Sequence, residues 1–314
     1  MVPIGGGAVA FAQDASPVAG SPFADLGLPA LTITATATGY EGIPESLPAG
    51  RYLVTLMAGD DTGDNGGAGV SFVQPAGMSG QDFVDALTQL QGGGTPAALP
   101  TEGSPAAMPS EGSPAAGGDE GPPAFFYESR IAGGSFSGPG QTTEVILDLT
   151  PGDWVAWGDD PSAPQQPVVF EATGEMPSDL PEPAADVTLT LAEYSITVSD
   201  GQFSTGPQVV RVDNVGAQPH FIFATHAPEG ITDADVEAVL QADMTGTPAA
   251  NGLDPETDFQ DIFGTGTQSM GTTQWVYVPD VPAGPLVLLC FFPDLGDGMP
   301  HALHGMYAIV EVAG

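Results

Sequence analysis

Short runs in which apolar and polar residues alternate dominate the chain. Leu31-Thr32-Ile33-Thr34, the positions Val145, Leu147 and Leu149, Val187-Thr188-Leu189-Thr190-Leu191 and Ile309-Val310-Glu311-Val312 all follow this pattern. A period of two is that of a strand with one face on a core and the other toward water. Helical spacing is rare. Ser79 can cap a helix that buries Phe83, Ala86, Leu87 and Leu90, and Thr232 can cap one that buries Val236, Val239 and Leu240. The 44 glycines and 32 prolines punctuate these runs as turns do. The pattern predicts an all-β protein with one short helix in each half.

The two helices reveal a repeat. Gly77-Met78-Ser79-Gly80-Gln81-Asp82-Phe83-Val84 aligns with Gly230-Ile231-Thr232-Asp233-Ala234-Asp235-Val236-Glu237, and Pro151–Trp157 aligns with Ala283–Leu289. The expected organisation is therefore two tandem β-sandwiches, residues 26–174 and 186–314, joined by a Pro-rich linker at 175–185. Residues 92–123 form a low-complexity insertion in which Glu-Gly-Ser-Pro-Ala-Ala occurs twice, and they read as a surface loop that buries no core.

Residues 1–25 read as a signal-peptide remnant followed by an N-terminal linker. Residues 1–12 are small and apolar, and Ala10-Phe11-Ala12 before Gln13-Asp14 resembles a signal-peptidase site, although a basic n-region is missing. The expectation is an exported, extracytoplasmic protein that begins near Gln13 and has no membrane span, since the apolar run is too short to serve as one. Charge narrows the function classes. With 3 Lys plus Arg against 40 Asp plus Glu, the formal net charge is −37, and there is no lysine. Nothing is available to neutralise phosphates, so nucleic acid is excluded as a partner. A cationic protein partner would be steered toward such a surface, though the same composition also suits solubility in a salty or hot habitat.

The candidate chemistry is confined to the second half. All four histidines (His220, His226, His301 and His304) and the only cysteine, Cys290, lie between 220 and 304, and Met306 follows. A thiolate, two imidazoles and a nearby thioether are the donor set of a blue-copper site. Individually, Cys290 reads equally well as an inert buried thiol and Met306 as core filling. Their coincidence favours a metal.

The run Asp213-Asn214-Val215-Gly216-Ala217-Gln218-Pro219-His220, the strand Gly284–Cys290 and the stretch His301-Ala302-Leu303-His304-Gly305-Met306 together resemble the cupredoxin family, the plastocyanin- and azurin-like blue copper proteins. The resemblance spans the second half, and reaches the first through the repeat. It implies two Greek-key β-sandwiches and one type 1 copper held by His220, Cys290, His301 and an axial Met306. It also implies electron exchange with a redox partner protein. Leu288, Phe291 and Phe292 would wall water from the sulfur. One departure is the ten residues, Phe291 to Pro300, between Cys290 and His301, where the family has two to four. That segment can loop out and return His301 to the metal, or hold it away and leave His304 as a substitute. His226, six residues from His220 along one strand, is too distant to share the ion. Gly158 stands where Cys290 would be, so the first half cannot hold this site. Leu289 and Phe291 flank Cys290 and no His-x-His occurs, so the chain is expected not to be an enzyme of the copper oxidase or nitrite reductase kind. A hydrolase lacks a spare histidine to act as base. The alternative function is a metal-free structural or interaction protein of the cell surface.

Overall fold

A computed structural model of the protein describes residues 18, 20–59, 62, 67–91, 123–138, 140–158 and 166–314. The signal-like segment and the low-complexity run up to residue 122 lie outside the described residues. In the first half, strands β1 (Ala30–Thr36), β2 (Gly39–Glu41), β3 (Ser46–Pro48), β4 (Gly50–Ala58) and β5 (Ala68–Gln74) lead to helices α1 (Gly80–Gln91) and α2 (Ala124–Glu128). Strands β6 (Arg130–Ser137), β7 (Thr142–Leu149), β8 (Gly152–Trp157) and β9 (Val168–Thr173) follow. The second half runs through β10 (Val187–Ala192), β11 (Ser195–Gly201), β12 (Gly206–Asn214), β13 (Phe223–His226) and α3 (Asp233–Thr245). It ends with β14 (Gln260–Gly264), β15 (Thr273–Val281), β16 (Gly284–Leu289) and β17 (Tyr307–Val312).

The strand order makes the repeat visible in three dimensions. One sheet contains β2-β1-β4-β7 from the first half and β15-β12-β10-β11 from the second, with β7 beside β15. Each half covers its part with a second layer, β9-β8-β5-β6 (with β3 at the edge) and β17-β16-β13-β14. The orders correspond strand for strand, and the parallel pairs β1–β4 and β10–β12 occupy matching places. The protein is all-β, and each half is a two-layer sandwich. Period-two burial explains the layers. In β10, Val187, Leu189 and Leu191 are buried and the residues between them half-buried, so one face meets the opposite sheet.

The helices form as their caps require. Ser79 accepts a hydrogen bond from the Asp82 N–H at 3.2 Å. Thr232 and Asp235 complete a reciprocal capping box at the start of α3. Phe83, Ala86 and Leu87 are buried as expected, whereas Val239 is only half-buried. The Leu90 side chain lies outside the described residues. Helix α2 was not expected. Its five residues, Ala-Phe-Phe-Tyr-Glu, are too few to show a helical period, and their aromatic content is what holds them to the core.

The halves are fused rather than merely tethered. Trp275 pairs with Ile146 and Val276 with Val145 across β15 and β7. In the second layer, the segment after β14 bridges to β6 at Ser135–Thr265 and Ala132–Gln268. No helix among the described residues is long and apolar enough to cross a membrane.

Candidate metal centre

Two chain segments build the site. The first is the turn from Asn214 to His220 at the end of β12. The Asn214 amide donates to the carbonyls of Gln218 (3.0 Å) and Gln268 (2.6 Å), and its oxygen accepts from the Gly216 N–H at 2.9 Å. An asparagine suits this role because one short side chain supplies both a donor and an acceptor. His220 is then clamped by a reciprocal pair with Gln268, N–H to carbonyl at 2.9 and 2.8 Å. Gly216 is required by proximity: a Cβ there would lie 2.7 Å from His220 Nε2 and 2.8 Å from a Glu193 oxygen.

The second segment is the long stretch after β16. Pro293 and Pro300 form an antiparallel bridge. The Asp294 N–H reaches the Met299 carbonyl (2.8 Å), His301 N–H reaches Phe292 (2.9 Å) and Ala302 N–H reaches Cys290 (2.7 Å). The extra residues thus form an excursion closed at its base, and His301 returns opposite Phe292. Of the two outcomes the sequence left open, the structure takes the return.

His220, Cys290 and His301 meet, each with 0% exposure. The two Nδ1 atoms are 3.0 Å apart, and Cys290 Sγ lies 3.9 Å from that of His220 and 3.7 Å from that of His301. The circumcentre of a triangle with sides of 3.0, 3.9 and 3.7 Å is about 2.1 Å from every corner, close to usual metal–nitrogen and metal–sulfur bond lengths of ~2.0–2.3 Å. The donor set fits a copper ion in trigonal coordination.

The outer ring nitrogens reinforce this fit. His220 Nε2 faces Glu193 at 3.7 Å, beyond hydrogen-bond reach. His301 Nε2 faces the Gln218 side-chain oxygen at 3.4 Å and Asp294 at 3.7 Å. Protons on these Nε2 atoms leave both Nδ1 lone pairs facing each other across the cluster. Burial, and then the neighbouring His301, push His220 down to about 4 against the pull of Glu193, so the ring is neutral near pH 7 and able to serve as a ligand. Burial likewise lowers His301 and lifts the Cys290 thiol to about 11. Cys290 would release its proton on binding a metal, as coordinating thiols do. Burial works to raise Asp294, but hydrogen bonds from Gln218, Tyr194 and the Gly296 N–H outweigh it and hold the carboxyl at about 2.

Met306 is buried, and its backbone touches both neighbours: its N–H donates to His301 at 3.0 Å and its carbonyl accepts from Cys290 at 3.2 Å. His304 is placed elsewhere, 3.2 Å from Asp297 and with its ring centre 4.9 Å from that of Tyr194. His226 lies at the far end of β13, 3.0 Å from the Ala283 carbonyl. The apolar wall differs from expectation in one residue. Leu288, Phe292 and Met306 share the Cys290 cluster, whereas Phe291 packs with Phe223 on the outer face. Strand alternation sends neighbours to opposite sides.

Four residues around the site escaped the sequence reading: Glu193, Tyr194, Gln218 and Asp294. Gln218 was open to inference, two positions before His220 in the same turn. Glu193 and Asp294 are carboxylates among 40, with no local signature. Tyr194 adopts φ +56°, a left-handed conformation uncommon for a non-glycine residue. It donates to Asp294 at 2.7 Å and sets its ring edge-on to His301. The first half also reaches the site. Phe126 and Tyr127 of α2 pack on Phe292, and the Tyr127 hydroxyl donates to the Pro293 carbonyl at 2.9 Å.

The chain matches no protein-family model and no curated protein. Among solved structures, dithionite-reduced auracyanin from Roseiflexus castenholzii is 19% identical, covering 40% of this chain and 95% of its own, with a TM-score of 0.28. Copper nitrite reductase from Nitrosomonas europaea is 10% identical, covering 91% of this chain and 94% of its own, with a TM-score of 0.23. A multicopper oxidase is 12% identical, covering 90% and 88%, with a TM-score of 0.21. At such scores these likenesses assign no residue a role. They do correct one expectation. The expectation of a non-enzyme does not stand, since the neighbours that span about 90% of the chain include copper nitrite reductases and a multicopper oxidase. The physical reason is that a missing His-x-His excludes only ligands adjacent in sequence, whereas a fold assembles sites from distant residues.

Proposed function

We propose that the chain binds one type 1 copper ion through His220, Cys290 and His301, with Met306 as the long axial thioether, and carries single electrons. The supporting observation is the convergence of two imidazole Nδ1 atoms and one sulfur, from three fully buried residues, on a point about 2.1 Å from each. Copper so held cycles between two oxidation states. Gln218 supports the His301 ring from its outer nitrogen at 3.4 Å, and Glu193 and Asp294 set carboxylates 3.7 Å from the outer nitrogens of His220 and His301. Leu288, Phe292 and Met306 exclude water from the sulfur. A preset cage of this kind changes little when charge moves through it.

The wider reading is an exported protein of two sandwiches, 26–174 and 186–314, that exchanges electrons with a cationic partner protein and takes no nucleic acid. Its net charge of −37 supports that choice of partner. The test is addition of copper(II) to the full-length protein, followed by visible absorption and electron paramagnetic resonance, with Cys290→Ser as control. The expected result is an intense blue band and a narrow copper hyperfine splitting, both lost in the control. Absence of both would leave a metal-free structural or binding module.

A further inference from the structure

All three basic residues of the chain, Arg51, Arg130 and Arg211, line one cleft of about 130 Å³ where the halves meet. Arg51 comes from β4 and Arg211 from β12 of the shared sheet, and Arg130 from the start of β6 in the first half's second layer, so only the tertiary fold brings them together. Trp275 lies beneath two of them. The Arg51 guanidinium carbon is 4.6 Å from its ring centre and that of Arg211 is 5.4 Å away. Both of these arginines are neutralised. Arg51 forks onto Asp148 at 2.7 and 3.0 Å, and Arg211 pairs with Asp213 at 3.0 Å and with Glu182.

Arg130 differs. Its guanidinium makes no hydrogen bond or ion pair among the described residues, and its Nε is shut off from solvent without an acceptor. The nearest carboxylate to influence it, Asp148, is already committed to Arg51. An arginine carries five donors in a planar fork, and a partly buried cation with no counter-charge is destabilising. Leaving one so, in a chain with 40 carboxylates to spare, is hard to reconcile with a purely structural role.

We propose that this cleft binds a small oxyanion, received in bidentate fashion by Arg130, with Arg51 and Arg211 lining the same cleft. A guanidinium fork matches two oxygens of a carboxylate or a tetrahedral oxyanion. Asp148 and Glu182 also line the cleft, each already paired with an arginine, and the more distant acidic surface is screened beyond ~8–10 Å at ordinary salt. The cleft volume restricts the ligand to a few heavy atoms. This site is separate from the histidine–cysteine cluster, and the proposal does not depend on copper.

The test is thermal unfolding of the full-length protein in sodium phosphate and in sodium acetate, each against sodium chloride at equal ionic strength, for the wild type and Arg130→Gln. The expected result is a saturable rise in Tm with at least one oxyanion that is absent in the variant. A response to phosphate alone selects a tetrahedral ligand, and one to acetate alone a planar carboxylate. The Tm of each variant without oxyanion is the baseline against which its own anion response is read. Arg130→Lys keeps the charge without the fork and should weaken the response, which provides a second variant if the glutamine does not fold. No rise above chloride, or an equal rise in wild type and variants, would overturn the proposal.

Discussion

At the scale of single residues, the centre depends on how closely groups can approach. Gly216 has ordinary backbone angles, yet its missing side chain is what admits His220 and Glu193 together. Gly216→Ala would place a methyl 2.7 Å from His220 Nε2 and 3.0 Å from the Ala192 Cα, and the second of these is backbone that cannot swing aside. The imidazole must then rotate or shift by several tenths of an ångström. Metal geometry tolerates little of this, and loss of outer-ligand support commonly costs ~10–100-fold in metal affinity. The expected outcome for Gly216→Ala is copper affinity reduced by about that factor, with a broadened hyperfine pattern, read by competition titration and paramagnetic resonance. Unchanged spectra would mean that the His220 turn is softer than its hydrogen bonds imply.

At the scale of elements, the unexpected feature is that α2 of the ligandless half supports the ligand loop. Phe126 is buried at 1% exposure and stacks on Phe292, with centroids 6.3 Å apart. Phe292 is two positions from Cys290 and shares its face. Phe126→Ala should cost about 3–5 kcal/mol of stability through lost burial and the cavity it leaves. Tyr127→Phe, which removes only the hydrogen bond to Pro293, should cost about 1 kcal/mol. Denaturant unfolding of the metal-free protein measures both. Near-equal losses would place the loop's support elsewhere. The long Cys290–His301 stretch carries a related lesson. Its residue count resembled an obstacle, but a bridge between Pro293 and Pro300 cancels the separation between positions 293 and 300. Distance along a chain bounds distance in space only from above.

For the whole molecule, the shared eight-stranded sheet makes each half part of the other's structure. Removing residues before 186 would strip β7 from β15, take the Ala132 and Ser135 bridges from the segment after β14, and uncover Trp275 and Phe292. An isolated fragment 186–314 is therefore expected to lack a cooperative thermal transition, whereas the full chain has one. Circular dichroism melts of the two decide this. A sharp transition in the fragment would show that the sandwiches are energetically independent. The same fusion gathers three arginines from three strands into one cleft.

Alternation in the sequence determined that the chain is all-β, and capping residues located α1 and α3. The internal repeat announced a doubled architecture. The rarity of histidine and cysteine made a candidate donor set visible before any geometry, since all four histidines and the one thiol lie in one half of the sequence. Such features are local: period, caps and residue type are properties of neighbours along the chain. Tertiary structure alone decided that His301 rather than His304 joins Cys290, that Glu193, Gln218 and Asp294 face the outer ring nitrogens, that α2 backs the loop, and that the cations of both halves converge. Each of these depends on strand register and loop closure between residues tens to hundreds of positions apart. Such contacts follow from packing and hydrogen bonding of the assembled sheets, and no short stretch of sequence encodes them.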